Sequence, residues 1–195
     1  MAQKKKQNPN RIPLSMSESD LNEIKIAISN KMVLRAWALV LAAISSYYDT
    51  TTEILNQIWH KVNQYSTTIH NYQDAKTYLQ KFKASTGVEI KCEPLVIPEV
   101  HTYGDLRMFQ RRMSQFAKSM SLAIISEPML TDSLLPIERI GEVFRKAMDL
   151  DQEIEEGRIS ITDISDMLKD EYGVLLEEGA GGKAYLSLIN KTKSE

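Results

Sequence analysis

The stretch Lys31-Met32-Val33-Leu34-Arg35-Ala36-Trp37-Ala38-Leu39-Val40-Leu41-Ala42-Ala43-Ile44-Ser45-Ser46-Tyr47-Tyr48 decides the fold. Arg35 is its only charge after Lys31. From Val33 to Ile44 apolar side chains fall on every side of a helix, so other elements must enclose it. A helix of that length spans about 18 Å, well short of the ~30 Å hydrocarbon layer of a bilayer. The expectation is therefore a central core helix, with a membrane-inserted segment as the alternative that length disfavours.

Moving outward, Ser17-Glu18-Ser19-Asp20 supplies a helix start, and Leu21, Ile24, Ile28 and Met32 recur at helical spacing. Ser29-Asn30 is a point where this helix could bend. Thr50 and Glu53 stand at capping-box spacing and predict a second helix with Ile54, Leu55, Ile58, Trp59, Val62 and Tyr65 on one stripe. A third begins at 71–74, turns Tyr72, Ala75, Tyr78, Leu79 and Phe82 inward, and ends at Gly87, where a left-handed backbone suits glycine.

Val88-Glu89-Ile90-Lys91-Cys92 alternates and predicts a short strand, while Pro94 and Pro98 keep Leu95-Val96-Ile97 out of any central strand. A fourth helix is expected from a cap at Asp105 to about Ser126, stopped by Pro128. A fifth runs from 133–136 to Gly157, with Ile137, Ile140, Val143 and Phe144 inward. A sixth starts at Thr162-Asp163 and closes at Gly173. Gly179-Ala180-Gly181-Gly182 reads as a joint before a last helix over 183–191.

These readings give a mainly α fold: a bundle of about six or seven helices with at most a short β segment near 88–97. The expected organisation is a disordered basic tail over 1–16, a helical subdomain over 17–87, a connector over 88–104 and a second helical subdomain over 105–195. Hydrophobic residues at 43% supply a core and charged residues at 26% can cover it. The single cysteine, Cys92, cannot form an internal disulfide, which suits a reducing cytosol. Basic residues near the start are not followed by an apolar segment, so no secretory signal is read there. A cytoplasmic, soluble protein with no membrane association is expected.

Charge is uneven. Residues 1–50 carry seven Lys/Arg against four Asp/Glu, and residues 151–195 carry five against eleven. The net charge of −2 excludes a protein that coats nucleic acid over its whole surface, but leaves room for a local basic patch. Arg107, Arg111 and Lys118, with Ser114, share one face of the fourth helix, and Arg112 lies beside it. These cations and the tail's Lys4, Lys5 and Lys6 are the candidate binding surface for phosphate or acidic protein. An ordinary solvated face is the plainer reading. Asp149, Asp151, Glu153, Glu155 and Glu156 form a surface of opposite sign, suited to a basic partner or simply to water.

Several chemistries fail on the residues. The loop that ends at Asp163 puts Gln152 and Ile154 where an EF-hand needs carboxylates. A helix-turn-helix reading of 161–174 lacks a second helix at the right distance. Glu177 and Ala184 occupy positions that a phosphate loop reserves for glycine and Ser/Thr. His60, His70 and His101 form no metal pattern, and no serine sits in a nucleophile elbow. The expectation is a non-enzymatic, cofactor-free helical interaction protein that binds and modulates a macromolecular partner, for instance an inhibitor or adaptor of nucleic-acid-handling machinery. A direct DNA- or RNA-binding regulator and an enzyme whose site forms only on folding are the alternatives. A protein partner is expected, with nucleic acid and self-association left open.

Overall fold

A computed structural model describes residues 13–47, 50–97, 99–132, 135–178 and 184–188. Among them are six helices and a two-stranded hairpin: α1 (Glu18–Tyr47), α2 (Thr52–Gln64), α3 (Tyr72–Thr86), α4 (Tyr103–Thr131), α5 (Ile137–Glu155), α6 (Ile161–Tyr172), β1 (Val174–Glu178) and β2 (Ala184–Leu188). The fold is mainly α, a multi-helix assembly with a minimal sheet.

The apolar stretch does what its all-round pattern requires. Every residue from Ala36 to Ile44 is at most 4% exposed. α1 lies along α4, α5 and α6, and also touches α2 and both strands. The core it shares takes Leu55 and Trp59 from α2, Phe82 from α3, Phe144 from α5 and Leu168 from α6. Each such side chain contributes about 1.5–3 kcal/mol by leaving water. By length and composition α1 could cross a membrane, yet half of its most apolar window is already covered by the other elements.

α1 and α4 run in the same direction. Pro13, before α1, pairs with Thr102 at the start of α4, and the Leu14 amide donates to the His101 carbonyl at 2.8 Å. Further along, Ile28 and Met32 meet Met113, Ala117 and Leu95 in a small second cluster. The ordered chain thus already includes Pro13 and Leu14, inside the stretch expected to be a tail; Lys4, Lys5 and Lys6 lie outside the described residues.

Local chemistry sets the helix ends. Ser17 and Asp20 cap α1 reciprocally, the Asp20 amide donating to Ser17 Oγ and the Ser17 amide to Asp20 Oδ2. The helix continues unbroken through Ser29-Asn30. Asn71 caps α3 and Gly87 closes it at φ 71°, as expected. α2 is capped by Thr51 instead of Thr50, because the Thr50 hydroxyl turns inward to the Ile44 carbonyl. Thr102, not the expected Asp105, caps α4, because Asp105 already lies inside the helix as the third residue of that capping box. Ser160 and Asp163 make the same device at α6.

Four further expectations need correction. Residues 88–97 hold no strand; Val88 and Ile90 are buried in irregular backbone. The strands lie at the other end, where Val174 pairs antiparallel with Leu188 and Glu178 with Ala184. Over 184–188 this replaces part of the helix expected at 183–191, whose other residues, like the 179–182 joint, lie outside the described ones; alternation in Tyr185-Leu186-Ser187-Leu188 serves a hairpin as well as it serves a turn of helix. α4 does not stop before Pro128 but passes through it to Thr131. Ile137 faces outward at 48% exposure.

Candidate functional site

The two oppositely charged helix faces meet at one point, Lys118. Lys118 Nζ donates to Asp151 Oδ2 and, at 3.0 Å, to Glu155 Oε1. Arg35, from the otherwise apolar stretch of α1, places Nε 2.7 Å and Nη2 2.6 Å from Asp151 Oδ1. Its Nη2 also reaches the Asp151 carbonyl at 3.4 Å. The side chains of Arg35, Lys118 and Asp151 are only 19%, 18% and 12% exposed. One carboxylate therefore joins α1, α4 and α5. Such a cluster fixes register more than it adds stability, because desolvation offsets most of the attraction.

This arrangement sorts the candidate residues. Lys118 and Asp151 are committed to each other, and Glu155 is joined to Lys118 while staying largely exposed. Glu156 pairs with Arg158 just past α5. Asp149 is exposed and Glu153 half-buried. Arg107, Arg111 and Arg112 are exposed on the first turns of α4. Arg112 Nη1 donates to the Val96 carbonyl at 3.4 Å, which lays the connector against α4.

The cations near the start of α4 do not stand alone. Of nine large hydrophobic residues exposed among the described residues, Val96, Ile97, Tyr103 and Met108 belong to this end. Tyr103, Arg107 and Arg111 follow at steps of four, as do Met108 and Arg112, so they alternate across one helix surface. A hollow of about 640 Å³ opens beside them, lined by Pro94, Val96, Arg112 and Phe116 together with Lys118 and Glu155. Thr102 and the His101 amide hold the Asp105 carboxyl below the usual carboxylate range, chiefly through the Thr102 hydroxyl. That carboxylate is turned to its own cap.

One functional-looking group escaped the sequence reading. Glu127 is 4% exposed. It accepts from Thr67 Oγ1 at 2.5 Å, from the Thr68 amide at 3.1 Å and from Thr68 Oγ1. Hydrogen bonds to an ionised acceptor are about twice as strong as neutral ones, so this carboxylate clamps the α2–α3 loop to α4. The available signal was a lone acid inside Ala123-Ile124-Ile125-Ser126-Glu127-Pro128-Met129. Nearby, the Tyr78 hydroxyl is buried without a partner, and burial pushes its phenol well above the ordinary range.

Elsewhere the chemistry is sparse. His60, His70 and His101 are exposed and apart. Burial raises the Cys92 thiol. Among the described residues no three His, Cys, Asp or Glu side chains are grouped to hold a metal ion. No protein-family profile, curated protein or solved structure matches the chain.

Proposed function

We propose that this chain is a non-enzymatic interaction protein of the cytoplasm. It captures an acidic, amphipathic segment of a protein partner on the 94–97 strip and the first turns of α4, and modulates that partner as an inhibitor or adaptor. The observation that carries the reading is the interleaving of Tyr103, Met108, Val96 and Ile97 with Arg111 and Arg112 on one exposed surface. Apolar side chains left in water favour a partner that covers them, and arginines among them favour carboxylates at its rim. The hollow beside Phe116 is large enough to take one anchoring side chain. A phosphate backbone is served less well. The basic face loses Lys118 to Asp151, and Glu93 and Glu155 border the same hollow.

The test is a photo-crosslinking residue at position 108 in cells, with mass-spectrometric identification of the captured protein and a binding assay on the purified pair. Arg111→Glu with Arg112→Glu should weaken that pair by roughly tenfold or more, about 1.4 kcal/mol. A short labelled DNA duplex measured across a salt series is the control. Tight, steeply salt-dependent duplex binding lost in the same variant would transfer the surface to nucleic acid. Failure of the double variant to change capture would overturn the proposal.

A further inference from the structure

Where α1 lies along α4, a hollow of about 380 Å³ opens between them. Its walls follow from helical spacing. On α1, Lys31 and Arg35 stand four apart, with Ile28 one turn earlier; on α4, Ser114 and Lys118 stand four apart. Lys31, Arg35 and Lys118 bring three cations to the lining, and Glu155 is its one acid. Asp151 is not part of that lining. It holds Arg35 and Lys118 from α5.

The donors at the hollow are only partly used. Arg35 meets Asp151 through Nε and Nη2, and its Nη1 makes no hydrogen bond among the described residues. Lys118 Nζ gives one proton to Asp151 and one to Glu155, which leaves a third. Lys31 is exposed and meets no acid among the described residues. The Ser114 hydroxyl is uncommitted there too.

Charge then decides the ligand. Lys31, Arg35 and Lys118 against Asp151 and Glu155 leave a small positive excess. Glu155 is 59% exposed and is bonded to Lys118 alone, so turning it to water costs little. The three cations then face Asp151 only, and a dianion balances what is left over. A carboxylate would balance half of it. Guanidinium and ammonium groups together suit a phosphate, whose several oxygens can each take a donor. Loss of Lys118 to Asp151 weakens a long basic face, but a compact site can still use its third proton. The volume lies at the low end of small-molecule sites, and Ile28 offers carbon to whatever the phosphate carries.

We infer that the hollow between α1 and α4 binds a dianionic phosphate group, from a small phosphomonoester or as free phosphate. Arg35 Nη1, Lys118 and Lys31 take its oxygens, Ser114 adds a neutral donor, and Glu155 gives up Lys118 to it. The inference does not rest on the partner surface, although Lys118 and Glu155 also line the hollow beside Phe116.

Titration of the ¹⁵N-labelled full chain at constant ionic strength, read at the Arg35 Nε–H signal, tests the site. Phenyl phosphate and inorganic phosphate are the probes, and benzoate is the comparison with one charge. Both phosphates should shift the signal saturably and bind more tightly than benzoate. Acidifying to about pH 5, below the second phosphate pKa near 6, should weaken phenyl phosphate roughly fivefold, while sulfate keeps its affinity. Lys31→Gln should weaken phenyl phosphate and Glu155→Gln, which removes the competitor, should strengthen it, each roughly two- to fivefold. Both positions are exposed, and circular dichroism reports whether each variant stays folded. Arg111→Gln, the same loss of charge outside the hollow, should change nothing. Tighter binding of phenyl phosphate than of phosphate assigns the site to a monoester, and the reverse or equality assigns it to free phosphate; either supports the inference. A signal unmoved by both phosphates would overturn it. So would benzoate binding as tightly as phenyl phosphate, no gain in Glu155→Gln, or Arg111→Gln weakening the probe as much as Lys31→Gln.

Discussion

α4 carries charge at three depths, and its two ends treat it oppositely. At the start, Arg111 and Arg112 stay in water beside exposed Tyr103 and Met108. Near the finish, Ser121 to Met129 is buried apart from half-buried Ile124, with Glu127 enclosed among them. In between, Lys118 is drawn inside by Asp151. The difference comes from what surrounds each turn. Where α1 passes with its least buried half, 18–31, α4 keeps an exposed face. Where the all-apolar half of α1 passes, even a carboxylate is covered, provided donors meet it. An isolated charge on this helix therefore says little until its neighbours are known.

The sharpest way to break this comparison is to remove the centre of the middle cluster. Asp151→Ala leaves Arg35 and Lys118 poorly solvated and without their shared carboxylate. Urea unfolding should show a loss of about 3 kcal/mol. Replacing all three together, Arg35→Met, Lys118→Met and Asp151→Leu, should recover most of that loss, since apolar groups of similar volume often serve as well. If the single variant costs no more than a surface substitution, the cluster is not a buried one in solution.

Glu127 sharpens the contrast at the buried end. Glu127→Ala strands the Thr68 amide and two hydroxyls. A loss of about 2 kcal/mol follows from unmade hydrogen bonds of this kind. Amide exchange across 65–71 should quicken more than exchange in α5, because the clamp is local to that loop. Equal acceleration everywhere would mean that Glu127 contributes only to global stability.

The sequence made the enclosed half of α1 legible because an all-round apolar pattern has one stable outcome in water. Asn71 and Gly87 were legible because caps are decided within a few residues. The path of α4 through Pro128 was not. Proline costs a helix about 3 kcal/mol or more, and here burial of Pro128 and Met129 against the core offsets it. The 184–188 strand was hidden for a similar reason, since its pairing with 174–178 is a tertiary fact. For the candidate surface, the identity of the cations was readable but their fate was not. Lys118 meets Asp151 from 33 positions away, and Arg35 meets it from 116. No local spacing rule carries that information.

The smallest expected effect concerns the exposed end of α4 and its titration. Asp105 is held below the ordinary carboxylate range by the Thr102 hydroxyl first and the His101 and Thr102 amides after it. A depressed folded value stabilises the protein above the unfolded value, near pH 4, and that share is lost as pH falls through the folded one. Asp20 and Asp163 are lowered in the same way, each first by the amide of its capping serine. Unfolding free energy should therefore decline with acid below about pH 4. Asp105→Asn should flatten part of that decline while leaving the neutral-pH partner surface at Arg111 and Arg112 intact. Should the acid limb keep its full slope in Asp105→Asn, the capping carboxylate does not distinguish this end of the helix, and its order must come from the packing of Met113 and Ala117 against Ile28, Met32 and Leu95 alone.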